Sequence, residues 1–127
     1  MIKLKRVYDK VDIMDGERIL VDRMWPRGIR KSTSNIDLWL KNIGPSHELR
    51  KWFGHQPSRF KMFSIRYKKE LRDNRTVDKL LAIIAEEDPV TLLYSASDTK
   101  YNNAVVLLSF LKAKLKARER ARQRAKS

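Results

Sequence analysis

The chain is expected to fold as a small α/β domain, a three-layer sandwich whose short, mainly parallel sheet is flanked by helices. Two apolar runs predict strands: Ile19-Leu20-Val21, short and β-branched, looks buried on both faces, and Val90-Thr91-Leu92-Leu93-Tyr94 is the clearest strand in the sequence. Several stripes of apolar residues at helical spacing lie between and after them. Strands interleaved with helices favour parallel pairing through crossovers. The residues just past each strand are polar, as expected where a parallel sheet presents its carboxyl edge.

The elements follow in order. Lys3 to Tyr8 alternates basic and apolar residues and reads as a partly exposed strand, and Asp15-Gly16 is a turn signal. Arg18 to Asp22 holds the first buried strand, which ends at Pro26 and Gly28 because neither continues a central strand. Ile36, Trp39, Leu40 and Ile43 repeat at i, i+3, i+4 and i+7, which predicts a helix started by Ser34 and closed by Gly44-Pro45. Ser46 caps a short helix bearing Leu49, Trp52 and Phe53, with Gly54 as its stop. Pro57 opens a longer one whose Phe60, Phe63, Tyr67 and Leu71 share a face. Thr76 begins another, with Val77, Leu80, Leu81 and Ile84 as its buried stripe, and Asp88-Pro89 ends it. After the strand from Val90 to Tyr94 comes a polar connection, then a last helix packed through Ala104, Leu108, Leu111 and Leu115.

Beyond Leu115 there is no large apolar residue, but alanine among Lys, Arg and Gln keeps helix propensity high. The expected division is therefore one domain over residues 1–115 and a basic, helical or frayed tail over 116–127. Of the net charge of +14, half lies from Lys112 onward, where eight Lys/Arg face a single acid, Glu119. Charge of this kind favours polyanions and solubility. The tail lacks the bulky apolar residues of a membrane anchor and the aromatics that stack single-stranded bases. A solvated extension or a non-specific polyanion contact is what remains.

Composition closes off several chemistries. With 127 residues and 42% apolar content the chain suits one core. It has no cysteine, which removes disulfides, thiol nucleophiles and thiolate metal sites. Its two histidines, His47 and His55, are too few for a metal site without further ligands. No apolar run spans a bilayer and the charged start, Met1 to Arg6, lacks a signal peptide's apolar stretch, so a cytoplasmic location and no membrane contact are expected. Gly-rich phosphate loops and the glycines of a nucleophile elbow around Ser95 are missing as well.

The candidate site is the turn Asp22-Arg23-Met24-Trp25-Pro26-Arg27-Gly28, which follows a strand together with Tyr8-Asp9 and Ser95-Ala96-Ser97-Asp98. A guanidinium matches the oxygen geometry of phosphate or carboxylate, so Arg23 and Arg27 on a turn stiffened by Pro26 suit one anion. Trp25 either stacks on a flat ligand or plugs the core, and burial is the commoner fate of a tryptophan. Ser97, Asp98 or Thr99 is expected to cap the last helix. Arg66 either reaches an anion or pairs with Glu70 one turn on.

Lys5-Arg6-Val7-Tyr8-Asp9 and Gly16-Glu17-Arg18-Ile19-Leu20-Val21-Asp22-Arg23-Met24-Trp25-Pro26-Arg27-Gly28 closely resemble the signature of the YeaO-like family, a bacterial and archaeal domain of unknown function. Pro45-Ser46, Leu49-Arg50, Trp52-Phe53, Arg66-Tyr67, Glu70-Leu71, Thr91 to Ala96, Asn102 and Ala104 extend the match over roughly residues 3–111. Met24 stands where the family often has Leu, and the basic tail looks like an addition. The resemblance implies a small three-layer α/β fold with polar residues at one sheet edge, and no known reaction or cofactor.

The expected function is binding of a small anionic, phosphate- or carboxylate-bearing ligand. Tyr8, Arg23, Trp25, Arg27, Arg66, Ser95 and Asn102 are the expected ligand-binding residues, with Asp22 or Asp98 as general base if a reaction is catalysed. Two alternatives stand beside it: nucleic-acid association through the basic tail, or a non-catalytic scaffold whose turn only locks the fold. Full mutual pairing of Asp22, Arg23 and Arg27 with no adjoining cavity would favour the scaffold.

Overall fold

Four strands pair in the order β1-β4-β2-β3, all in parallel, in a computed structural model that describes residues 1–126. They are β1 (Ile2–Arg6), β2 (Glu17–Leu20), β3 (Leu38–Trp39) and β4 (Val90–Tyr94). The register sets Ile2 to Arg6 beside Val90 to Tyr94, and Glu17 to Leu20 beside Val90 to Leu93. Strand β4, the most apolar, is thus central and buried along its whole length. The helices are α1 (His47–Phe53), α2 (Phe60–Arg72), α3 (Thr76–Glu86) and α4 (Asn103–Lys126). The small α/β fold expected from sequence is the one observed.

Side chains alternate across the sheet, as the two-residue strand period requires. Ile19, Val21, Val90, Leu92 and Tyr94 face one way and join buried residues from all four α-helices, among them Phe53, Phe63, Tyr67, Leu80 and Leu107. Leu20, Leu93 and Val7 face the other way, under Trp25, Ile29, Ile36 and Trp39. That second face is covered by connecting segments with two 3-10 turns, Ile13–Asp15 and Lys31–Thr33, instead of α-helices.

The expected helix from Ser34 to Ile43 is not formed, and this corrects the sequence reading. Leu38 and Leu40 pack toward the helices while Trp39 packs on the opposite face, the alternation of a strand. The Asp37 N–H donates to the Arg18 carbonyl at 2.8 Å and the Leu40 N–H to the Leu20 carbonyl at 3.0 Å, which zips the segment onto β2. Asn35 lies at φ 55°, a left-handed conformation that does not continue a right-handed helix. Only a single 3-10 turn, Lys41–Ile43, survives of the expected element. A four-residue apolar stripe is too short to exclude the strand period, and here pairing with a central strand decides.

The shorter helix behaves as expected. The Ser46 hydroxyl accepts from the Leu49 N–H at 3.2 Å and Gly54 closes α1 in the left-handed region. The Glu70 carboxylate on α2 accepts from the Ser46 N–H at 2.9 Å and its hydroxyl at 2.6 Å, tying α1 to α2. Tyr67, fully buried, donates to the Ile43 carbonyl at 2.7 Å. Burial holds its phenol above the ordinary range, so it stays a neutral donor.

Candidate functional site

Beyond the carboxyl ends of β2 and β4 lies a cavity of about 130 Å³. The end of a parallel sheet suits such a site because the strands stop there and only loops and helix termini close it. Asp22, Arg23, Ser95 and Asn102 of the sequence-derived set line it, together with Met24, Arg50, Phe53, His55, Phe63 and Asn103.

Asp22 is a crosslink between the two strand ends. One carboxylate oxygen accepts from both the N–H and the hydroxyl of Ser95, at 2.9 and 2.7 Å, and the other from the Asn103 amide at 3.0 Å. Its oxygens therefore face donors on β4's exit and on the first turn of α4. Arg23 turns toward the α1 side, donating to the carbonyls of Pro45 at 2.8 Å and Gly44 at 2.9 Å. Gly44 also packs against the Arg23 backbone, where a Cβ would sit 2.7 Å from the Arg23 backbone nitrogen. Among the described residues neither Arg23 nor Arg50 has a carboxylate ion-pair partner. Two guanidinium groups outside any direct ion pair thus line the same cavity as His55 and the Asp22 carboxylate.

The other expected site residues lie outside this lining. Trp25 packs on the opposite face of the sheet, edge-on to Trp39 with ring centres 5.3 Å apart, and its indole N–H donates to the Ile29 carbonyl at 2.7 Å. Arg27 is exposed, and its carbonyl accepts from the Tyr8 hydroxyl at 2.9 Å. Arg66 lies over the Trp52 ring at 4.4 Å, a cation-π contact in place of either the expected anion contact in this cavity or the alternative pairing with Glu70. The turn therefore splits by side-chain direction: Arg23 to the cavity, Trp25 to the second face, Arg27 to solvent.

Asp98 also lies outside the lining. Its carboxylate accepts from the N–H groups of Lys100 and Tyr101, at 2.9 and 3.0 Å, and these backbone bonds hold its pKa below the ordinary carboxylate range. Such a group is a poor proton acceptor near neutrality. The cap of α4 is Asn102, in place of the expected Ser97, Asp98 or Thr99. The buried Asn102 side chain accepts from the Val105 N–H at 3.0 Å and donates to the Asp98 carbonyl at 2.9 Å. Asn102→Ala is expected to lower stability by about 1–2 kcal/mol, read from urea unfolding, because it removes a cap and leaves buried backbone groups unmatched.

The sequence reading missed Arg50, His55 and the aromatic wall of Phe53 and Phe63 as cavity residues. Arg50 and Phe53 sit on α1 and Phe63 on α2, and no strand-end rule points to helices that merely dock against the carboxyl edge. Among the described residues no group of three or more His, Cys, Asp or Glu side chains comes together as a metal ion would require, and no helix is long and apolar enough to cross a membrane.

Comparison with known proteins places this geometry among relatives. The family model described as the inactive DUF488-N3 subclade matches residues 1–127. The uncharacterized protein YeaO of Escherichia coli (strain K12) is 47% identical over 112 residues, covering 88% of this chain and 97% of that protein. The uncharacterized proteins Rv3073c of Mycobacterium tuberculosis (strain ATCC 25618 / H37Rv) and Mb3100c of Mycobacterium bovis (strain ATCC BAA-935 / AF2122/97) are each 38% identical over 113 residues, covering 89% of this chain and 95% of theirs. No solved structure matches the chain.

Proposed function

This chain belongs to the inactive DUF488-N3 subclade, within the YeaO-like proteins, and from that premise we propose that it is a non-catalytic domain binding a small phosphate- or carboxylate-bearing ligand. The observation that carries the proposal is the cavity at the carboxyl ends of β2 and β4, lined by Arg23 and Arg50 without carboxylate partners. Arg23 is already oriented by two backbone carbonyls, so its guanidinium loses little freedom when an anion arrives. Arg50 and His55 supply further donors, and Phe53 and Phe63 an apolar wall for the body of the ligand. Non-catalytic binding is favoured by the two carboxylates: Asp22 is committed to three donors and Asp98 to two. The family's description as inactive points the same way.

The test is thermal unfolding with inorganic phosphate, a sugar phosphate and a dicarboxylate, each against sodium chloride of equal ionic strength. At least one should raise Tm saturably, by the equivalent of roughly 2.7 kcal/mol at a hundred times Kd. Arg50→Ala should abolish the shift with the unliganded Tm nearly unchanged, because Arg50 makes no ion pair in the fold, whereas Arg27→Ala should retain it. No shift with any member of the panel, or an undiminished shift in Arg50→Ala, would overturn the assignment.

A further inference from the structure

The last helix continues well past the core. Leu111 is fully buried and Leu115 partly so, but every residue from Lys116 to Lys126 is exposed while the helix runs unbroken to Lys126. At 1.5 Å per residue the exposed segment extends roughly 16 Å, about three turns. An ion pair joins Arg118 to Asp78 of α3 at 3.6 Å, with both side chains largely in solvent. Exposed pairs of this kind contribute little and are readily exchanged for another anion.

Its charges are ordered by a four-residue period. Lys112, Lys116, Arg120 and Arg124 form one row, and Lys114, Arg118, Arg122 and Lys126 form a second. Ala113, Ala117, Ala121 and Ala125 lie between them, each one residue from a member of either row. An α-helix turns about 100° per residue, so the two rows stand about 100° to either side of the alanine line. Leu115, Glu119 and Gln123 occupy the remaining side, which carries the segment's one acid. The result is a slim face flanked by two cationic edges.

We propose that this projecting helix binds duplex DNA in the major groove, independently of sequence, with the alanine face toward the groove floor and one basic row toward each phosphate backbone. The major groove is about 12 Å wide and admits one helix, and a helix lying in it meets phosphates on both sides. Single-strand binding would use stacking aromatics, and the segment has none. Duplex RNA hides its major groove behind a narrow opening, which excludes a helix of this width. An anionic bilayer would need bulky apolar residues on one face, and the slim face offers only methyl groups.

The experiment uses the full chain with a 20-base-pair DNA duplex, an RNA duplex of the same sequence, and vesicles containing about one third anionic lipid. DNA binding should fall about a hundredfold between 50 and 200 mM salt, as release of about four condensed counterions requires. The combined substitution Lys116→Gln, Arg118→Gln, Arg120→Gln and Arg122→Gln keeps helix propensity, and should reduce DNA affinity at least a hundredfold at low salt with Tm little changed. Ala117→Leu with Ala121→Leu, which also keeps the helix, should weaken binding several-fold by thickening the inserted face. Absence of DNA binding at 50 mM salt, equal affinity of the charge variant, an unaffected leucine variant, or tighter binding to RNA or vesicles would each overturn the proposal.

Discussion

Asp15→Ala is expected to destabilise the protein by roughly 3–5 kcal/mol, a large fraction of the 5–15 kcal/mol typical of a domain. Asp15 is 1% exposed and sits on the second face of the sheet, at the end of the 3-10 turn before β2. Its carboxylate accepts from the Lys5 ammonium at 3.1 Å, from the Arg18 guanidinium and from the Asp12 N–H, also at 3.1 Å. Arg18 itself is buried, and its Nε donates to the Asn35 carbonyl at 2.8 Å. Removing the carboxylate leaves a buried guanidinium without its counter-charge, which costs far more than the pair contributes net. Thermal or urea unfolding reads the loss.

The same group sets a pH dependence. Burial works against the ionised form of Asp15, but the bonds from Asp12, Lys5 and Arg18 outweigh it, so its pKa lies below the ordinary value of about 3.9. A depressed carboxyl pKa contributes stability that is fully present above the unfolded value and is lost as pH falls through the folded one. Stability of the native chain should therefore drop as pH is lowered below about 4. In Asp15→Asn that part of the acid-side slope should be missing, with the protein already weaker at neutral pH. A slope unchanged by the substitution would show that other carboxylates drive acid unfolding.

Gly16→Ala is the second large effect, roughly 2–5 kcal/mol, from backbone strain and overpacking together. Gly16 lies at φ 64° and ψ −137°, a combination essentially confined to glycine. A Cβ there would sit 2.0 Å from the Pro89 carbonyl oxygen, which is itself the acceptor for the Glu17 N–H at 3.1 Å. Relief of the clash must move backbone at the start of β2 or of β4, where the central pairing begins. Gly28→Ala is the control: its φ of 77° carries the strain, but nothing lies within 4 Å of the added carbon, so only the smaller backbone cost of about 1–2 kcal/mol should appear. Equal losses at the two positions would refute the steric part of the account.

These two residues show what could be read without a fold. Asp15-Gly16 is legible as a turn, and the glycine's necessity is a local backbone matter. That Asp15 is the buried centre of a charge cluster follows from Lys5 on β1 and Arg18 on β2 facing the same side, which becomes visible only once strand register is known. The Thr91 hydroxyl donating to the Asp15 carbonyl at 2.7 Å, 76 positions away, has no sequence signal at all.

The candidate site divides in the same way. Asp22, Arg23 and Ser95 were legible because they follow apolar runs, and a parallel sheet collects the ends of its strands at one edge. Arg50, His55, Phe53 and Phe63 reach that edge from helices, at positions set by packing between α1, α2 and the sheet. Trp25 and Arg27 adjoin Arg23 in sequence, yet successive residues of a turn point in different directions, which sends Trp25 to the sheet's second face and Arg27 to solvent.

The α/β class, the strands at Ile19 and Val90, the caps of the short helix, the YeaO-like signature and the end of the large apolar residues at Leu115 are all legible along the chain. Each of these depends on periodicity or on local backbone chemistry. Only contacts across the fold set Leu38–Trp39 into the sheet in place of a helix, gather all four α-helices on one face, and select which side chains of the turn meet the cavity. Those outcomes rest on contacts between residues far apart in the chain, where pairing with a neighbour outweighs the weak preference of any local stretch.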